Sequence, residues 1–342
     1  MDGSLAAWQA QPALYYAFLA LFGAIAGSFA SAAAYRIPRS PEVTLLRPLR
    51  SHCGACRAPI AWHDNLPILS YLVLRGRCRA CGVRYGAGYL VHEIGLALLF
   101  VLAGRSWAAD SGLLALTVVC CALTALWIAA AVDLKHYILP DGITIGGQLA
   151  AIPAVLLVPE LHLWPGRAGL PWGAALLTPL GLDPAGPDWL LAAASGAVGC
   201  AAAWIGIYGI GWVFSQILHK DALGFGDVKY LAAVGAWTGI EGVLWSFLTG
   251  VFVGSFLGLA NILRLWVVVQ QRRRTRGLRR RYLHPAHRTA WLGGHLIPFG
   301  PPLILGTTLV LLAPASVHRF FLVTWPEWIS GASPFASPTT TP

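Results

Sequence analysis

Apolar residues in this chain come in long runs. Eight of them stand out, at residues 12–34, 87–104, 112–132, 142–158, 188–217, 228–241, 242–268 and 291–316. A run of about 20 apolar residues is the length a helix needs to cross a bilayer. The pattern therefore predicts an all-α polytopic membrane protein with about eight transmembrane helices. The sixth run is short and contains glycine, which makes it the weakest as a full span. The first run ends near Ala30, Ser31 and Ala32, small residues of the kind found at signal cleavage sites. Met1 to Pro12 holds no Lys or Arg, however, so the basic start of a signal peptide is missing and a retained helix is expected.

Composition agrees with lipid as the main solvent. Of the 342 residues, 57% are hydrophobic and 11% charged, with a mean hydropathy of +0.64. A soluble domain carries roughly 25% charged residues. The net charge of +10 would suit nucleic acid, but its placement points elsewhere. Of the 24 Lys and Arg, nine Arg lie between Arg36 and Arg84, and eight basic residues lie between Arg272 and Arg288. Short basic loops stay in the cytoplasm. With the 36–86 loop inside, the second and third helices go out and back, placing Asp133 to Asp141 inside. The fourth and fifth repeat the excursion around an outer 159–187 stretch and return near Lys220. The sixth and seventh then bring the Arg272–Arg288 loop inside, so both basic loops agree. Nucleic acid is not an expected partner; membrane lipid is. The expected division is a first transmembrane helix (1–34), a cytoplasmic insert (35–86), a transmembrane core (87–316) and a C-terminal tail (317–342). The end of that tail, from Pro334, is rich in Ser, Thr and Pro and is expected to be disordered.

The insert is too small to build a stable core unaided. It contains Cys53-Gly-Ala-Cys56 and Cys78-Arg-Ala-Cys81, two C-x2-C pairs separated by 21 residues. Four thiolates in two tight knuckles suit tetrahedral Zn²⁺, at a spacing close to that of zinc ribbons. Disulfides are the alternative, which a reducing compartment disfavours. Cys120, Cys121 and Cys200 lie in apolar runs and read as packing residues.

Only 14 acidic residues serve the chain, so those at membrane depth are candidates for function. Asp133 follows the third apolar run, in Asp133-Leu-Lys-His-Tyr-Ile-Leu-Pro-Asp141. Asp227 opens the sixth, in Gly224-Phe-Gly-Asp227-Val-Lys229. The parity of the helices puts Asp133 and Asp227 at one membrane face. Two carboxylates that share a proton can hydrolyse a peptide bond, one as base toward water and the other as acid toward the carbonyl oxygen. Gly224 and Gly226 leave room for an extended substrate backbone. The plainer reading is that each Asp caps a helix or pairs with Lys135 or Lys229. For Asp141, which leads the fourth run, capping is the better reading.

With G-x-G-D at a helix start and a second Asp after an earlier helix, the chain resembles the intramembrane GxGD aspartyl proteases, and among them the type IV prepilin peptidases. The resemblance runs from about residue 20 to 310. It rests on Gly27-Ser28-Phe29, Tyr35-Arg36-Ile37-Pro38, both cysteine knuckles, Trp62-His63-Asp64-Asn65-Leu66-Pro67, Gly76-Arg77-Cys78, Asp133 with Leu139-Pro140-Asp141, Gly224-Phe225-Gly226-Asp227-Val228-Lys229 and Ile297-Pro298-Phe299-Gly300-Pro301. Two positions depart from the family pattern: Ser31 stands where Asn is usual, and Cys53-Gly-Ala-Cys56 stands for Cys-Pro-x-Cys. The resemblance implies an inner-membrane enzyme with two activities. One removes the short basic leader of type IV prepilins or type II secretion pseudopilins at the cytoplasmic face. The other methylates the new amino terminus from S-adenosylmethionine. It implies Asp133 and Asp227 as the catalytic pair, with Gly224, Gly226, Lys229 and Asp141 in the active-site loops.

His92 and Glu93 fall near the cytoplasmic end of the second run, where the family pattern also has a Glu; an interfacial polar pair is the expected reading, and a role near substrate or methyl donor the alternative. Gly23 and Gly27, four residues apart, suit close helix packing. No G-x-G-x-x-G follows a strand pattern, so no ordinary dinucleotide-type fold is expected for the methyl donor. The rival readings are a peptidase without methylation and, from another class, a proton- or cation-coupled transporter using the same carboxylates.

Overall fold

A backbone surrounded by lipid must satisfy its own hydrogen bonds, and each of the apolar runs accordingly folds as helix where the structure describes it. The computed structural model describes residues 11–41, 44, 51–107, 112–162, 171–219, 223–275 and 298–329. Helix α1 spans Pro12–Arg36, α2 Gly88–Trp107, α3 Gly112–His136 and α4 Asp141–Leu157. Helix α5, Asp188–Ala202, continues through a π-turn at Ala203–Ile207 into α6, Tyr208–Leu218. Helix α7 covers Phe225–Thr275 and α8 Gly300–Leu312. Among the described residues there is no strand, only two isolated bridges in the insert, His52 to Pro59 and Arg77 to Arg84. The Arg276–Arg288 part of the second basic loop, Lys220, the start of the eighth run and the Ser/Thr/Pro end of the tail lie outside the described residues.

Among the described residues, five helices are long and apolar enough to cross a membrane, and a sixth candidate is the pair Gly300–Leu312 and Pro314–Glu327, bent by 112°. The difference from eight comes from two places. Helix α4 is apolar but has 17 residues. The sixth and seventh runs join in the 51-residue α7, broken at Gly239, where φ is +73° and ψ −175°. Unbroken, α7 would be about 75 Å long, more than twice the bilayer core. The break leaves a short first arm carrying Asp227 and a long second arm.

Large apolar side chains such as Leu14, Phe18, Leu21 and Ile25 point away from the protein, as lipid-facing positions do. The inward faces use small residues, because association in lipid depends on close packing rather than on the hydrophobic effect. Helix α1 lies along α2. A Cβ on Gly23 would come within 2.5 Å of the Leu96 carbonyl, and one on Gly27 would collide with the backbone of His92 and Glu93. Helix α5 meets the first arm of α7 where Gly199 faces Gly235. Helix α8 joins the two halves of the bundle: it packs on α7 and α3, and the indole of Trp107 on α2 donates to the Leu311 carbonyl at 2.7 Å.

Candidate active site and metal centre

Asp133 sits one turn before the end of α3, where Tyr137 donates its N–H to the Asp133 carbonyl at 2.9 Å and then turns the chain with φ +57°. Leu139 and Pro140 follow, and Pro140 leads α4. Asp227 lies in the first turn of α7, its N–H bonded to the Gly224 carbonyl at 3.0 Å. Leu139 fills the space between the two turns. It lies 3.6 Å from where a Cβ on Gly226 would be, and 3.3 Å from one on Gly300. Asp133 and Asp227, 94 residues apart in sequence, are thereby brought close enough for their charges to interact. Asp133 is 5% exposed, and its Oδ2 has no hydrogen-bond partner among the described residues. Asp227 is half-buried, and Gly224 beside it is exposed. The pair thus has one carboxylate closed off from solvent and one lying beside an exposed glycine.

The fourth segment at the site is the start of α8. The Gly300 amide is directed at the Asp133 carboxylate. A Cβ on Gly300 would stand 2.5 Å from Asp133 Oδ2 and 2.9 Å from its Cγ, so glycine is the residue that fits. Below Asp227, fully buried Tyr230 donates to Thr307 Oγ1 at 2.7 Å, fixing the first arm of α7 against α8. Lys229 pairs with Asp141. Asp141 therefore does not cap α4: Pro140 is the cap residue and makes no side-chain bond, while the exposed Asp141 carboxylate reaches across to α7. Gln148 adds a second α4–α7 tie, donating to the Lys229 carbonyl at 3.1 Å while its oxygen accepts from Trp204 at 3.2 Å.

The insert is built from two copies of one turn. Cys53 N–H donates to Ala58 O and Arg57 N–H to Cys53 O; Cys78 N–H donates to Val83 O and Gly82 N–H to Cys78 O, all at 2.9 Å. Arg57 and Gly82 occupy equivalent left-handed positions, with φ of +56° and +69°. The two turns face each other, so the ligand atoms of Cys53, Cys56, Cys78 and Cys81 lie within 4.8 Å of one another, and none of the four is in a disulfide. Backbone N–H groups of Cys56 and Ala55 pull the Cys53 thiol down to about 6. Cys81 is pushed up to about 12, because burial and three neighbouring thiols outweigh the Val83 N–H that favours its thiolate. Four cysteine ligand atoms this close together, with none in a disulfide, fit one tetrahedral metal ion. Arg79, inside the second turn, binds both oxygens of Asp64 at 2.6–3.1 Å and ties the second cysteine knuckle to the loop at residues 62–65. That contact holds the Asp64 carboxyl below the usual range.

Glu93 departs from the expected interfacial placement. It is 6% exposed, and its Oε2 accepts the Ile68 N–H of the insert at 2.6 Å. His92 Nδ1 accepts from Trp127 on α3 at 2.8 Å. Gly300 and Glu93 both gain their roles through contacts between segments far apart in sequence.

A polytopic helical bundle that gathers two carboxylates at one end, with a cysteine insert nearby, has the build of an aspartyl protease working at a membrane face. Comparison with known families points the same way. The model described as "Bacterial Peptidase A24 N-terminal domain" matches residues 21–107, and "Type IV leader peptidase family" matches residues 120–259. A prepilin leader peptidase/N-methyltransferase of Klebsiella pneumoniae is 36% identical over 233 residues, covering 67% of this chain and 87% of the relative. One of the same name from Aeromonas hydrophila is 29% identical over 336 residues, covering 91% and 95%. A type 4 prepilin-like proteins leader peptide-processing enzyme of Escherichia coli is 32% identical over 249 residues, 68% of this chain and 80% of the relative. No solved structure matches the chain. The chain belongs to the type IV leader peptidase family. It is a multi-pass inner-membrane protein.

Proposed function

We propose that this protein removes the leader peptide from type IV prepilins or type II secretion pseudopilins and N-methylates the residue so exposed. The observation that carries the reading is the meeting of Asp133 and Asp227 from α3 and α7 beside the exposed Gly224. One carboxylate takes a proton from water as its oxygen attacks the scissile carbonyl carbon. The other, protonated, donates to the carbonyl oxygen; collapse of the tetrahedral intermediate then breaks the C–N bond and the leaving amine takes up a proton. Exposed Gly224, with no side chain of its own, leaves room for the extended backbone, and the substrate's apolar helix lies in lipid against the bundle. The nine Arg between Arg36 and Arg84 favour the cytoplasmic face for this end of the molecule. The same topological role for the basic stretches makes nucleic acid an unneeded partner.

We assign Zn²⁺ to Cys53, Cys56, Cys78 and Cys81 as a structural ion, leaving Gly224, Gly226, Lys229 and Asp141 as the loops around the dyad. Residues 35–86 then form the methylation-associated insert and 87–316 the peptidase core. S-adenosylmethionine supplies the methyl group. Among the described residues there is no sheet to carry a dinucleotide-type site, so no residues are assigned to hold it. A transporter built on the same carboxylates is a weaker reading, because it leaves the cysteine insert and the family match without a role.

The test is co-expression with a prepilin in a host lacking its own processing enzyme. Mature pilin that is shortened and carries one added methyl group is the expected product by mass spectrometry; unprocessed prepilin would refute the reading. Independently, purified protein is expected to hold about one zinc per chain. Removing the metal should disorder residues 51–85 while the helices persist, since metal binding supplies folding free energy the insert lacks. Circular dichroism and proteolysis of the chelated protein would check this, and an insert that stays ordered without metal would count against the assignment.

A further inference from the structure

Glu93 lies near the start of α2, just after the insert rejoins the membrane helices. A carboxylate buried to 6% exposure needs strong partners. It has one in the insert, the Ile68 N–H at 2.6 Å, and the Ser28 hydroxyl of α1 beside it. Ile68 is the centre of a γ-turn, with Leu69 donating its N–H to the Pro67 carbonyl at 2.5 Å and φ, ψ of +61°, −51°. This positive-φ form of the γ-turn is rare and strained, and more so for a β-branched residue. A turn of that kind persists only where its surroundings hold it, and here the outward N–H goes to Glu93.

The contact lies in a continuous line through the molecule. On the insert side, the turn follows the 62–65 loop, whose Asp64 is clamped by Arg79 of the second cysteine knuckle. On the membrane side, the Glu93 backbone packs against Gly27 of α1, and neighbouring His92 bonds to Trp127 on α3, the helix that carries Asp133.

We infer that Glu93 is a positioning residue: it latches the cysteine insert onto α1 and α2 and so sets where the insert stands relative to the aspartate pair. The inference rests on the functional reading above for its consequence, which is that the latch serves methylation of the freshly cut amino terminus rather than cleavage itself. The two aspartates act without contact to Glu93, so loosening the insert leaves their chemistry in place. Presentation of the new amino group to the second activity is lost.

The experiment compares wild type, Glu93→Ala and Glu93→Gln as full-length, zinc-loaded protein in detergent. Amide hydrogen exchange across residues 66–74 is read alongside cleavage rate and the methylated fraction of the product with one prepilin. Loss of a hydrogen bond to a charged group should speed exchange in Glu93→Ala on the order of tenfold, with a comparable fall in the methylated fraction. Cleavage rate and zinc content should match wild type. Glu93→Gln keeps an oxygen acceptor for the Ile68 N–H and should restore both protection and methylation. Unchanged exchange in Glu93→Ala overturns the latch. So does faster exchange with undiminished methylation, or a Glu93→Gln variant as defective as Glu93→Ala. Should wild type cleave without methylating, the functional reading fails on that arm, and the exchange data alone decide whether the latch exists.

Discussion

Asp133→Asn and Asp227→Asn should each reduce prepilin cleavage to background while the protein still inserts and keeps its helical content. Asparagine preserves the size of either side chain but can neither take the proton from water nor share one with its neighbour. General acid and base contributions are each worth about 10²–10⁴-fold, and a pair that hands one proton back and forth loses both when one member is removed. The double variant should therefore be no worse than either single one, the non-additivity expected of residues that act as a unit. Folding is not the weak point, since neutralising a sheltered carboxylate such as Asp133 removes a desolvation cost. Asp141→Asn provides the contrast. Its carboxylate is 63% exposed and pairs with Lys229 at the surface of the site, an interaction of the kind worth about 0–1 kcal/mol. Initial rates on a detergent-solubilised prepilin would check all four variants. Robust cleavage by Asp133→Asn or Asp227→Asn would remove that residue from the chemistry.

The parts of this arrangement that could be read from the sequence are those carried by local pattern. Runs of apolar residues gave the helices, since run length and lipid solvation leave little choice of structure. The paired C-x2-C spacing announced the cluster of four cysteines, because each knuckle is a turn of only a few residues. Asp133 and Asp227 stood out as rare charges beside apolar runs. What local pattern could not carry was contact between distant segments. The runs at 228–241 and 242–268 read as two helices, and the backbone does break between two arms, but at Gly239, and the pattern alone does not show that the first arm is too short to span. Asp141 looked like a cap because it leads α4; only the placement of α7 reveals Lys229 as its partner. Glu93 looked interfacial since nothing near it in sequence hints that Ile68, 25 residues earlier, returns to meet it. Gly300 was visible as part of a family pattern, but its reason for being glycine lies 167 positions away, at Asp133.

That contact makes Gly300→Ala the most damaging change expected outside the aspartates. In a helix interior, replacing Gly by Ala is ordinarily favourable by about 1 kcal/mol. At Gly300 the new methyl would lie 2.5 Å from Asp133 Oδ2 and 2.9 Å from Cγ, with Leu139 at 3.3 Å on the other side. Since real Cβ contacts do not come so close, either the carboxylate or the start of α8 must move. Thr307 and Tyr230 hold α8 against α7 further along, so the displacement falls on Asp133. Misplacing a catalytic group by about 1 Å costs roughly 10²-fold in rate. The loss should appear in kcat and not in KM, because the proposed docking of substrate on the lipid-facing helices and beside Gly224 does not involve Gly300. Gly258→Ala on α7 is the control: nothing lies within 4 Å of the added methyl, and activity should be unchanged. Steady-state kinetics of both variants, with thermal unfolding to compare their stability, separate a displaced carboxylate from a damaged fold. Wild-type kcat in Gly300→Ala would mean that the α8 backbone does not set the position of Asp133.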